Sequence, residues 1–393
     1  MNRKSFLVLL GLLLALGGAG LVLFWQDLAA WRSSDAKIGS KLFDKLPVND
    51  VAQIRLIDAK GEVTLTLKDQ RWSVKQRRDY NANYQDIGDL LVKLPDLKVV
   101  QTENVGATLL PRLNLVQPGK DAKSADGAGT LLELSDKGGK VIGSLLLGKK
   151  VIKIEDSPLP IKQEIPVGRY VLSPGNHSVL VISDALKNAE ANPAQWLAKD
   201  FFKAERIKSL TASGEGVQWK IARGEEYGQW KFAAGGGELD ASAAVGAVNG
   251  LAGLAFTDIA SDVKPEAWAK ARSFVADTYD NLVYTIKIVK KADSDDYYLT
   301  VAISGEPPRE RTPEKGEKPA DKERLDKQFA EALVKLDERL KAEKALASWT
   351  FVVPAKTLEP LLKDRAALIA KPKKPGAGGP PGMPPGMMFP GMR

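Results

Sequence analysis

The chain of 393 residues contains no cysteine. That excludes disulfides, thiolate metal sites, a cysteine nucleophile and a lipid-modified N-terminal cysteine. It contains one histidine, His177, so no two imidazoles can share a metal. The surrounding "SPGNHSVLV" reads as a turn before a strand. No charge of one sign is gathered into a stripe. The 57 basic and 49 acidic residues interleave along the chain and leave +8, a poor footprint for nucleic acid. Gly-x-Ser-x-Gly, the Rossmann fingerprint and His-Glu-x-x-His are all missing. Ser34 and Lys37 have the Ser-x-x-Lys spacing of some acyl-transferring enzymes, but no Ser-Asp-Asn or Lys-Thr-Gly accompanies them. "DSDDYY" at 293–298 starts like a calcium loop, yet Tyr297 holds the third ligand position and no closing Glu follows, so it reads as a hairpin turn. No catalytic residue, cofactor or metal site is expected.

Long hydrophobic runs are equally scarce, with one exception. Residues 6–25, "FLVLLGLLLALGGAGLVLFW", follow Arg3 and Lys4 and end at Gln26 and Asp27. As a helix they span about 30 Å, the thickness of a bilayer's hydrocarbon core. A cleaved signal peptide ending at Gly17–Ala19 is the alternative. The apolar run continues past that site to Trp25, which favours a transmembrane anchor over residues 1–30, with the N-terminus cytoplasmic and the bulk of the chain periplasmic or otherwise extracytoplasmic.

The length favours two or three domains, and internal similarity suggests how they arise. "IRLIDAKGEVTLTLKDQRWSV" (54–74) is echoed by "IKSLTASGEGVQWKIARGEEYGQWKF" (207–232), with Trp72 and Trp230 at equivalent places. "NYQDIGDLLVKLPDLKVV" (83–100) aligns with "DASAAVGAVNGLAGLAFT" (240–257). That alignment sets Ile87, Leu90, Leu91, Leu94 and Leu97 against Ala244, Ala247, Val248, Leu251 and Leu254. Both read as amphipathic helices capped by Asn83 and Asp240. The hairpin at 130–149 is matched with 281–305, and the strand and helix of 169–189 with 350–367. The expected fold is α+β: two tandem copies of a strand-hairpin, helix, hairpin, strand and helix unit, over 48–200 and 205–370. The glycines at 235–237, which resemble a phosphate-cradling loop, align with Arg78, Asp79 and Tyr80. They read as a strand-to-helix turn, since no Lys-Ser/Thr follows.

"YNANYQDIGDLLVKLPDLKVVQTEN", "LLPRLNL", "GSLLLGKK", "GRYVLSPGNHSVLVIS" and "WLAKDFF" together resemble the successive blocks of the bacterial family catalogued as domain of unknown function 4340. The resemblance covers most of 48–370. It implies a membrane-anchored protein encoded beside ABC transporter components of the gliding-motility type. It carries no catalytic residues, because none is defined for that family.

Two segments stand apart. The tail 371–393 is rich in Pro and Gly and holds every methionine except Met1; it is expected to be disordered. Residues 306–346 carry 11 acidic and 11 basic residues, with a charged Pro-rich half and then a helix. On that helix Leu325, Phe329, Leu333, Leu336 and Leu340 form an apolar stripe. This insertion and residues 150–168 are read as equivalent long connections in the two copies. The stripe either folds back onto its own domain or docks on a partner, as a coiled coil with a second copy or in the groove of a transporter subunit. The functional expectation is a non-catalytic, membrane-anchored accessory protein of an ABC-type transport or envelope machine. The alternatives are a cell-wall or carbohydrate binding module and a hydrolase with an unrecognised carboxylate site.

Overall fold

The computed structural model describes residues 38–119, 126–155, 163–173, 178–292, 294–313 and 316–371. The expected membrane helix over 6–25, the Ser34/Lys37 pair, His177, Asp293 and the tail beyond Lys371 lie outside the described residues. Among the described residues no helix is long and apolar enough to cross a membrane. The fold is mixed α+β, and the chain divides into two units, Met1–Asp200 and Phe201–Arg393, each built on an antiparallel sheet.

The first unit contains β1 (Gln53–Ile57), β2 (Glu62–Lys68), β3 (Arg71–Val74), β4 (Tyr80–Asn81), helix α1 (Tyr84–Lys93), β5 (Val99–Glu103), β6 (Thr130–Ser135), β7 (Val141–Glu155), β8 (Gln163–Leu172) and β9 (Val179–Ile182). Its nine strands run in the order β4-β3-β2-β1-β6-β7-β8-β9-β5. The second unit contains β10 (Ile207–Ser213), β11 (Trp219–Ala222), β12 (Lys231–Phe232), helix α2 (Ala241–Ala252), β13 (Asp258–Ile259), β14 (Arg272–Thr278), β15 (Leu282–Lys290), β16 (Tyr297–Gly305), helix α3 (Pro319–Ala345), β17 (Phe351–Val353) and the one-turn helix α4 (Ala355–Leu358). Its order is β12-β11-β10-β14-β15-β16-β17-β13. Without the edge strand β4, the first order becomes the second when strands are paired in chain sequence.

The helices follow from local signals. Asn83 Oδ1 accepts from the Gln85 amide and Asp240 Oδ1 from the Ala243 amide, so each satisfies one of the free N–H groups of its helix start. Ile87, Leu90, Leu94 and Leu97 are buried with Leu91 half-buried; Ala244, Ala247, Leu251 and Leu254 are buried with Val248 half-buried. The aligned positions therefore share one burial pattern. In the sheets, alternation puts Ile54 and Leu56, Leu145 and Leu147, and Ile286 and Ile288 into the cores, while the short strands β9 and β17 are buried at every position. The second core adds an aromatic group. Phe201 lies 4.6 to 5.2 Å from Phe202, Phe351 and Phe256, and Phe202 lies 6.0 Å from Tyr284.

The strand pairing changes three expectations. By position in the sheet the partner of the β6–β7 hairpin is β14–β15, whereas the matched segment 281–305 folds as β15–β16. The alignment slipped by one strand because β14 goes unnoticed in sequence and successive apolar hairpins look alike. Residues 150–168 and 306–348 are consequently not equivalent connections. The first spans the β7–β8 hairpin, most of it paired strand, and the second joins β16 to β17. No α-helix follows β9 either; residues 183–192 are irregular and lead to a 3-10 turn at Pro193–Trp196.

Candidate functional site

The stripe predicted on α3 is divided by its surroundings. Leu340 is 4% exposed and belongs to the core, whereas Leu325, Phe329, Leu333 and Leu336 are half-buried. The Pro-rich segment before the helix is fastened along it. Arg311 pairs with Glu317 and with Asp326 (2.9 Å), and Arg309 with Asp337 (2.6 Å). At the C-terminal end, Glu343 is buried and accepts hydrogen bonds from the Tyr284 hydroxyl (3.0 Å) and the Lys203 amide (3.1 Å). Burial raises its pKa against the opposing pull of Lys203, Tyr284 and Arg339. Its oxygens are occupied by groups of the same unit, so Glu343 is a structural carboxylate.

The glycine-rich turn is filled from within. The Arg365 guanidinium donates to the carbonyls of Ala234 (3.0 Å) and Gly236 (2.8 Å) and lies over the Phe232 ring at 4.1 Å. A Cβ at Gly235 would stand 2.7 Å from it, and Gly235 also has φ +82°. The aligned residues Arg78 and Asp79 adopt φ +57° and +60°. The turn needs left-handed backbone in both units, and glycine meets that need in the second without strain. Ser294 to Asp296 form the β15–β16 turn, with the Ser294 hydroxyl accepting from the Asp296 amide. Among the described residues no cluster of three metal-ligating side chains exists.

Two open cavities, about 570 Å³ beside β2–β3 and about 640 Å³ beside β15–β16, are lined by charged side chains that are exposed or half-exposed. A third, of about 640 Å³ in the first unit, differs. It is bounded by the β1–β2 turn (Asp58, Lys60, Glu62), by Gln76 and Arg77, and by Glu190 to Pro193, and on its wall Arg169 is only 6% exposed. Arg169 stands on β8 at the inward position two residues before buried Val171. Its Nε donates to the Gly148 carbonyl (2.9 Å) and its Nη1 to that of Leu186 (3.3 Å). Among the described residues it has no carboxylate partner and Nη2 makes no hydrogen bond. Burial pushes its pKa down to about 10, against the attraction of Glu190.

The loop after β9 is shaped to serve this arginine. Asp184 Oδ1 accepts from the Leu186 amide at 2.7 Å, and Leu186 sits at φ +44°, a left-handed conformation costly for a branched residue. The Trp196 indole donates to the Glu190 carbonyl at 2.9 Å, which holds the cavity rim. Lys150, directly opposite Arg169 across the β7–β8 pair, turns to Glu190 at 3.3 Å. Sequence reasoning passed over Arg169 within the apolar block "GRYVL". The available signal was a charge on the inward register of an alternating strand.

Fold and surface together define a protein of two antiparallel α+β units with polar surface cavities, one of them walled by a buried arginine. Comparison of the chain with protein-family models, curated proteins and solved structures found no match.

Proposed function

We propose that this chain is a membrane-anchored, extracytoplasmic accessory protein of an ABC-type transport or envelope machine, acting as a non-catalytic scaffold. The duplicated unit is its core: two copies of one strand order, each elaborated at a different connection. The observation that carries the reading is the outer part of the β7–β8 hairpin. β6 pairs with β7 only as far as Leu147, and β9 pairs with β8 only over Arg169–Val171, so residues 150–155 and 163–168 form a two-stranded ribbon beyond the sheet. The ribbon leaves Ile152 42%, Ile154 60% and Val167 45% exposed. Ile152 and Ile154 stand on one face, and a scaffold that keeps large apolar side chains on a projecting ribbon offers them to a protein partner. The half-buried part of the α3 stripe, Leu325 to Leu336, is a second contact in this reading, with Leu340 withdrawn to the core. The apolar run at 6–25 and the resemblance of 48–370 to the membrane-anchored family support the location and the kind of partner.

The test is affinity capture of the tagged full-length chain from solubilised membranes. Ile152→Ser with Ile154→Ser should remove the co-captured membrane proteins while leaving the thermal midpoint within about 2 °C, as expected for exposed positions. The wild-type chain should also stay with membranes after a carbonate wash and be cut by protease added to spheroplasts. Unchanged capture by the double variant rejects the ribbon as the contact, and release by carbonate rejects the anchor.

A further inference from the structure

We propose that the cavity walled by Arg169 binds the carboxylate group of a small organic molecule. Several features of the first unit converge on this, independently of the accessory role. A guanidinium has five N–H donors, and here only Nε and Nη1 meet protein acceptors, both of them neutral carbonyls. Its charge is therefore carried into the wall of the unit with nothing of opposite sign bonded to it. Such a group normally acquires a counter-charge, because removing it from water is otherwise costly. Lys150 faces Arg169 directly across the strands, and like charges so placed repel. Glu190 forms its salt bridge with Lys150 and attracts Arg169 without being bonded to it.

The cavity's own acids are already engaged. Asp58 Oδ1 accepts from the amides of Lys60 and Gly61, closing the β1–β2 turn. Glu62 Oε2 receives Arg55 Nη2 at 2.8 Å and its Oε1 the Thr64 hydroxyl at 3.0 Å. Lys60 lines the same space, and the buried Arg169 has no acid bonded to it among the described residues. A planar fork of guanidinium donors matches a carboxylate, and the remaining space of about 640 Å³ suits a molecule larger than an inorganic ion. Loss of the arginine's hydration, which already depresses its pKa, is offset when the anion arrives.

The experiment is calorimetric titration of the full-length chain in detergent with N-acetylglycine, with N-acetylglycinamide and inorganic phosphate as comparisons. The wild type should bind N-acetylglycine saturably, with Kd on the order of millimolar. Arg169→Gln should weaken it by about tenfold or more, since a charged hydrogen-bonding partner is lost. Lys60→Glu leaves the bonds of Arg169 to Gly148 and Leu186 in place and should weaken binding several-fold. It decides the matter if circular dichroism shows Arg169→Gln to be unfolded. No saturable binding by the wild type overturns the proposal, as does an affinity unchanged in Lys60→Glu or in folded Arg169→Gln. Equal binding of the neutral amide, or tighter binding of phosphate, overturns the carboxylate assignment.

Discussion

Trp72 and Trp230 occupy the same register: each precedes by two residues the strand residue paired with an inward position, Val74 with Leu65 and Phe232 with Ile221. Their surroundings differ. Trp72 is 5% exposed, whereas Trp230 is half-buried under the Arg223 guanidinium, 4.8 Å from its ring. Trp72→Ala should cost about 3–5 kcal/mol, as for other large-to-small core changes, and Trp230→Ala no more than about 1.5 kcal/mol, a partial burial plus a cation–π contact. Urea denaturation of the two variants measures the contrast, and equal losses would show that the equivalence extends to packing. Glu343 gives a second prediction at this scale. It faces Tyr284, Arg339 and the Lys203 amide, with Glu205 beyond Arg339 at 2.6 Å. Burial raises its folded pKa above the ordinary 4.5, so the folded state holds its proton more tightly than the unfolded chain does. The resulting stability is complete below about pH 4.5 and is lost as pH rises through the folded pKa. Subtracting the stability of Glu343→Gln from that of the wild type across pH 4 to 8 should therefore give a difference that falls with pH. A difference that is flat or rises would mean that folding does not raise the pKa of this carboxyl.

Among the elements, α3 divides into a half that belongs to the second core and a half held mainly by ion pairs. Leu340 and Glu343 are both buried, whereas Leu325 and Phe329 are half-buried, and Arg309 and Arg311 tie the preceding segment to the helix through Asp337 and Asp326. Leu340→Asp should destabilise by about 3 kcal/mol or more through an unpaired buried charge. Leu325→Ser should cost less than about 1 kcal/mol. Thermal midpoints of the two variants read this directly, and similar values would reject the division. The β7–β8 ribbon should show the same gradient in hydrogen exchange. Amides of residues 150–155 have a partner strand on one side only, those of 146–147 on two, so the former should exchange faster. The N-caps Asn83 and Asp240 and the stripes of α1 and α2 were legible because their signals lie within four residues of one another. The placement of 306–346 was not, because a stripe records that a face is apolar without recording what covers it.

At the scale of the whole chain, the boundary near residue 200 falls between two sets of ties. The Trp196 carbonyl accepts from the Asn83 amide and the Ala198 amide donates to Asn81, which holds 196–198 to the first unit, while Phe201 enters the aromatic group of the second. Segments 38–200 and 201–371 produced as separate chains should each unfold cooperatively in urea, as compact units with their own cores do. A segment lacking a cooperative transition would show that its core needs the other.

The sequence by itself determined the absence of thiol chemistry, the two capped helices with matching burial, the alternating strands and the glycines as a turn, since composition and short-period patterns are local. Only the tertiary structure decided which hairpin corresponds to which, that two long segments elaborate different connections, that Arg365 fills the glycine turn from far along the chain, and that Arg169 is buried beside Lys150. Pairing between distant strands and the desolvation of a charge depend on what the folded chain brings alongside, and no periodicity in the residues themselves encodes that neighbour.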